Sequence, residues 1–130
     1  MKHTFSLICI ILFIFFTTLP GQTHDGYILS GISNSYNHTD PYYDFLVYKL
    51  DLNGNKQWRK NHGGAGGEAE AYIRQTLDGG YILGGGTESF THGAFDFLLY
   101  KLDANGHKQW RRNYGGLDVD ACRVVEPTFH

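Results

Sequence analysis

Spaced oxygen donors are the first candidates for chemistry. The stretches Asp51-Leu52-Asn53-Gly54-Asn55 and Asp103-Ala104-Asn105-Gly106-His107 set Asp and Asn oxygens close together, as a hard cation such as calcium requires. Each stretch is too short to supply six or more oxygens and lacks the later Glu, so an Asn-Gly hairpin turn is the expected role. Asp118 and Asp120 form an acidic pair beside Gly115-Gly116. Acid–base catalysis would need a defined partner and a pocket. Glu68 holds the place of Asp120 one period earlier, which favours a structural capping role. Cys122 would need a neighbouring base to act as a nucleophile, and none is evident, so it is expected to be a small buried hydrophobe. The histidines at 3, 24, 38, 62, 92, 107 and 130 show no i,i+4 or Cys-paired spacing, and no zinc site is expected. No catalytic, cofactor-binding or metal residue is assigned.

Contact chemistry remains. The pairs Tyr27/Tyr81, Phe45/Phe97, Tyr48/Tyr100 and Trp58/Trp110 recur in matching contexts, which is expected of a core between repeated units. Tyr36, Tyr42, Tyr43, Phe90 and Phe95 fall outside that pairing, in the loops between second and third strands. Such loop aromatics would stack on a carbohydrate or protein ligand, or else pin a long loop.

These groups are positioned by a repeat. Residues 44–64 recur 52 positions later as residues 96–116, with 16 of 21 positions identical. A period near fifty marks units that each leave an apolar face for a neighbouring copy to cover. One complete unit reads as strands over 69–76, 81–87, 95–103 and 107–113, broken by Asp78-Gly79 and Asn105-Gly106. Such dipeptides between β-rich runs signal hairpins, expected here with type I′ turns. The third strand is apolar on both faces, as between stacked sheets. The fourth alternates charge as an outer edge does, with Lys56, Arg59 and Lys60 echoed by Lys108, Arg111 and Arg112. Gly84-Gly85-Gly86 in the second permits close backbone approach.

Shifted back one period, the first unit has strands at 27–33, 43–51 and 56–61, but no first strand. Residues 115–128 align without gaps to 63–76 and so read as the first strand of a third unit, cut short by Pro127. The fold class expected is all-β: repeated four-stranded antiparallel meanders forming a partial β-propeller of about two blades. Its domain of 24–130 divides into an incomplete unit 24–64, a complete unit 65–116 and the start of a third at 117–130.

Residues 1–23 differ in kind. Lys2 and His3 precede an apolar run to Phe16 and then small, turn-prone residues, which is the pattern of a secretory signal peptide helix. An uncleaved anchor is the alternative, but the run is shorter than the roughly 20 residues a spanning helix needs. Removing it takes Cys9 with it, leaves Cys122 without an internal partner, and leaves 10 basic against 13 acidic residues, net −3. That balance argues against a nucleic-acid partner. Secretion or display at the cell surface is expected, with no membrane contact after cleavage. Asn37-His38-Thr39 is an N-glycosylation sequon in the loop where the first unit has two extra residues.

The ordered words Gln75-Thr-x-Asp-Gly-Gly-Tyr-Ile-Leu83, Lys101-Leu-Asp-x-Asn-Gly106 and Trp110-x-x-x-x-Gly-Gly116 resemble the tandem repeats of secreted bacterial surface proteins predicted to be β-propellers. The resemblance covers residues 22–130. It implies a secreted, non-enzymatic propeller module with a structural or binding role, part of a longer array. It supplies no catalytic residue and no cofactor. The implied partners are further repeat units, or copies of the chain itself, that complete the ring. The word Leu-Asp-x-Asn-Gly-x-x-x-Trp is also similar to the repeat of quinone-dependent dehydrogenase propellers, so a fragment of such a redox enzyme is the alternative function.

Overall fold

The computed structural model describes residues 24–36, 41–91 and 94–128; the expected signal peptide over 1–23 and the sequon at 37–39 lie outside them. Seven strands make up the described fold: β1 (Tyr27–Ser33), β2 (Asp44–Leu50), β3 (Lys56–His62), β4 (Glu68–Gln75), β5 (Tyr81–Thr87), β6 (Asp96–Leu102) and β7 (Lys108–Tyr114). No helix occurs among the described residues. The strands form two antiparallel meanders, β1-β2-β3 and β4-β5-β6-β7, and neither closes into a barrel. Every strand bound lies within one residue of the expected one.

The two sheets share a register. Tyr27 opposes Leu50 as Tyr81 opposes Leu102, and the ladder slips between Lys49 and Leu50 as it does between Lys101 and Leu102. The turns are not the type I′ expected. Within these turns Gly54, Gly79 and Gly106 take positive φ (82°, 79° and 78°), while Asn53, Asp78 and Asn105 do not. In each turn the Gly N–H donates three residues back, to Asp51, Thr76 or Asp103 O. This is a type I turn followed by a left-handed Gly. In the Gly54 and Gly106 turns a carboxylate braces it: Asp51 Oδ1 accepts from Asn53 N at 2.9 Å and Asn55 N at 2.8 Å, and Asp103 does the same for Asn105 and His107. These bonds hold the acid's own loop in the right-handed region, so the Asn never reaches positive φ.

The sheets pack face to face. Phe45 and Val47 of β2 meet Ile73, Tyr81, Leu83 and Leu98, with Tyr100 and Leu102 completing the core. Phe45 stands edge-on to Tyr100 at 6.3 Å, and Trp58 edge-on to Tyr81 at 5.9 Å. Ser30 Oγ donates to Ala71 O at 2.9 Å across the seam. Because side chains alternate along a strand, each sheet has two faces. We call the face carrying Phe45, Val47 and Trp58 the forward face; it packs on the rear face of the second sheet, which carries Tyr81, Leu83 and Tyr100.

This arrangement splits every recurrent aromatic pair. Tyr81, Phe45 and Tyr100 are buried, while their counterparts Tyr27 and Phe97 are 57% and 38% exposed and Tyr48 is half-buried. Being apolar on both faces does not bury both faces of β2 and β6, because among the described residues each sheet has one sheet neighbour.

Residues 117–128 do not form the expected strand. They make one parallel bridge, Phe95 to Val119, and otherwise run as irregular chain. A first strand ladders onto the second strand of its own unit, as β4 does onto β5; no such strand follows among the described residues. The segment instead lies against the forward face of the second sheet, where a Cβ on Gly84 would meet Val125 at 3.1 Å and where Arg74 pairs with Glu126 at 3.0 Å.

Candidate functional site

The five loop aromatics divide into two groups. Tyr36 and Phe90 follow the second strand of their units, and each ring lies beneath an Arg of the fourth strand: Arg59 over Tyr36 at 3.7 Å and Arg111 over Phe90 at 3.5 Å. Both pairs are the same device, a guanidinium over a ring. The two extra residues in the first loop put Tyr36 and Phe90 54 positions apart instead of 52, which hid their correspondence in the sequence. Phe90 is half-buried against the core and its carbonyl accepts from Asn113 Nδ2 at 2.6 Å. Tyr36 is exposed, its hydroxyl 3.0 Å from that of Tyr48.

Tyr43 and Phe95 precede the third strands. Their carbonyls accept equivalent bonds, from Glu68 N at 2.7 Å and from Asp120 N at 2.6 Å. Phe95 covers Gly86, where a Cβ would strike its ring, whereas Tyr42 and Tyr43 are each 47% exposed on the same loop. Tyr42 and Tyr43 are therefore the adjacent, solvent-facing rings of the group.

Sequence reasoning missed a cleft where the two sheets meet. It has a volume of about 550 Å³ and is lined by Asp25, Lys49, Trp58, Gln75, Tyr81 and Asn105, among others. Lys49 is buried and held by Asp25 Oδ1 at 3.0 Å and Leu50 O at 3.2 Å. That hydrogen bond from Lys49 is the main reason the Asp25 carboxyl sits below its usual range. Tyr81 is buried in the core and Trp58 is half-buried against it, so polar groups dominate the surface of the cleft. The only signal for this cleft was the recurrent Lys in an otherwise apolar third strand.

The acidic candidates serve the backbone. Asp51 and Asp103 are held below the ordinary carboxylate range first by the turn N–H groups of Asn55 and His107, so their oxygens are committed to the hairpins. Asp78 is drawn down to about 2, first by the Thr76 hydroxyl and then by Lys101. Asp120 Oδ2 accepts from Gly116 N at 2.9 Å, in keeping with a capping role. Glu68, its counterpart, is buried with Oε1 receiving the Thr87 hydroxyl at 2.9 Å; burial pushes its carboxyl up. Gly63 has no room for a side chain, since a Cβ there would lie 2.6 Å from Glu68 Oε2. Cys122 is half-buried outside any strand, its thiol 3.3 Å from Val124 O. Among the described residues no group of three or more His, Cys, Asp or Glu is gathered as metal ligands.

No family model matches the chain, and no curated protein matches it.

Burial also sets an alkaline limit on the fold. Desolvation pushes the Tyr100 hydroxyl up to about 12, against about 10 in an unfolded chain. The folded state thus holds its proton more tightly. Its contribution is complete below about pH 10 and is lost as pH rises through about 12, for a total of about 3 kcal/mol. Denaturant midpoints should fall across that window in the wild type, and Tyr100→Phe should flatten the decline. An unchanged slope in the variant would show that another group causes it.

Proposed function

We propose that the chain is a non-enzymatic module of a secreted β-propeller-type repeat protein, with a structural or ligand-binding role at the cell surface. The supporting observation is the seam between the sheets, where equivalent strands in equivalent registers pack forward face on rear face. That is how blades stack radially. Ligand contact is placed at the loop aromatics, with Tyr42 and Tyr43 the most accessible and carbohydrate or protein the ligand class.

The test is retention of the purified chain on an immobilised panel of neutral and acidic polysaccharides. We expect retention on at least one, and a loss of about tenfold or more in the double variant Tyr42→Ala/Tyr43→Ala, since a stacked aromatic contact is worth about 0.5–1.5 kcal/mol per ring. Equal retention of the variant would remove the aromatics from the contact. A largely helical circular dichroism spectrum, or substrate turnover by the chain alone, would overturn the reading as a whole.

A further inference from the structure

Among the described residues, the two sheet faces outside the seam have no sheet packed on them. The rear face of the first sheet carries Tyr27, Leu29, Tyr48 and Leu50, the counterparts in register of Tyr81, Leu83, Tyr100 and Leu102, which form the core. Leu29 is 48% exposed where Leu83 is fully buried. The forward face of the second sheet carries Phe97, Leu99 and Trp110, the counterparts of Phe45, Val47 and Trp58. Each exposed face therefore has, within the same chain, a twin that is packed against a twin of the other exposed face.

The edges follow the same rule. Among the described residues β1 is paired on one side only, with β2, whereas its counterpart β5 has β4 on the other side. Residues 120–127 are the counterpart of β4 and have no ladder. They are already docked as β4 is docked: the bond from Asp120 N to Phe95 O repeats that from Glu68 N to Tyr43 O, and Val125 lies over Gly84. In the seam, the turn at Gly106 seats on Trp58, with a Cβ there only 2.7 Å from the indole, and His62 Nε2 donates to Gly106 O at 3.2 Å. The corresponding turn at Gly54 has open space around it, and the counterparts of the seat, Trp110, Arg112 and Tyr114, line a depression of about 310 Å³.

We propose that the occupant of these surfaces is a second copy of the chain, docked head to tail. Residues 120–127 of one copy add as a fourth strand to β1 of the next, the forward face of the second sheet meets the rear face of the next first sheet, and the Gly54 turn seats in the Trp110 depression. This rests on the repeat-module reading and adds its partner. Transferring the β4–β5 register, in which Ile73 opposes Leu83 and Glu68 opposes Thr87, places Val125 opposite Leu29 and Asp120 opposite Ser33 of the neighbouring copy. The contact joins unlike surfaces, so it propagates until it closes a ring or runs on as a filament. A ring of about four to eight sheets would take about two to four copies. The strand added across the copies supplies main-chain hydrogen bonds, and the faces supply the apolar burial.

Gly31 offers a discriminating variant. Its counterpart Gly85 lies against the carbonyls of Ala69 and Glu70, while nothing lies within 4 Å of a Cβ on Gly31. Gly31→Ala should therefore fold as a single chain but obstruct the incoming carbonyls of Ala121 and Cys122. The experiment measures the sedimentation mass of the full chain against concentration, with far-UV circular dichroism alongside. We expect a multiple of the single-chain mass for the wild type, and its loss in Gly31→Ala with an unchanged β spectrum. A second measurement mixes Leu29→Cys with Val125→Cys, each also carrying Cys9→Ala and Cys122→Ala. Oxidation should give a disulfide-linked dimer, and Ser33→Cys with Val125→Cys should give at least tenfold less. A single-chain mass at every concentration, or assembly of Gly31→Ala equal to wild type, would overturn the proposal while leaving the repeat-module reading standing if the spectrum stays β-rich. A largely helical wild type would overturn both.

Discussion

Phe45→Ala should bring the fold close to collapse, while Phe97→Ala, the same substitution one period later, should cost less than half as much. Phe45 is fully buried, edge-on to Tyr100, with its ring tip 2.6 Å from where a Cβ on Gly85 would stand. Truncating such a ring removes its transfer free energy and leaves a cavity that strands pinned by ladders cannot close, at a cost of about 3–5 kcal/mol. Against a total stability of ~5–15 kcal/mol, this is a large fraction, and the melting temperature should drop by roughly 20 °C. Phe97 has the same register and the same neighbours along its strand, but no sheet covers it. Thermal melts of both variants, at dilutions where the chain is monomeric, read the difference directly. Equal losses would mean that the forward face of the second sheet is as well covered as that of the first.

That contrast shows where sequence carried the structure and where it did not. Strand positions were legible because Asp-Gly and Asn-Gly pairs punctuate runs rich in Tyr, Ile, Leu and Val, and these are local signals. Turn type was not, because it depends on where the Asp51 and Asp103 carboxylates bond, and Asn-Gly alone fits either class. Burial was half legible. Composition marks β2 and β6 as apolar on both faces, but whether Phe45 or Phe97 is buried depends on which neighbouring sheet is present, and identical residues cannot encode that difference. The segment 117–128 fails as a strand for the same reason: its alignment to β4 is sound, but a strand exists only with a partner to ladder onto. Among the loop aromatics, the two-residue insertion hid the shared role of Tyr36 and Phe90 beneath Arg59 and Arg111.

Gly85→Ala and Gly31→Ala should change stability in opposite directions. Replacing Gly by Ala restricts the unfolded chain and stabilises by about 0.4–1 kcal/mol wherever the native backbone accepts a Cβ. At Gly31 nothing opposes this gain, so the melting temperature of the monomer should rise by a few degrees. At Gly85 the new carbon would stand 2.6 Å from both Ala69 O and Phe45 Cζ, with Glu70 O closer still. Two of these obstacles are backbone atoms of β4, at the point where its ladder breaks between Ala69 and Tyr72 and Glu70 takes a φ of 56°. A left-handed Glu already carries about 1–2 kcal/mol of strain, and the bulge bends β4 around the bare Gly85 backbone. A methyl there must push the bulge outward or shift Phe45, both at the centre of the seam. Overpacking of this kind costs about 3 kcal/mol, which outweighs the entropic gain several-fold. Denaturant unfolding of the two variants should thus bracket the wild type. If Gly85→Ala were as stable as Gly31→Ala, β4 could not lie as close to β5 as the seam requires, and the first strand would have to pack on the second more loosely than the contacts at Gly85 show.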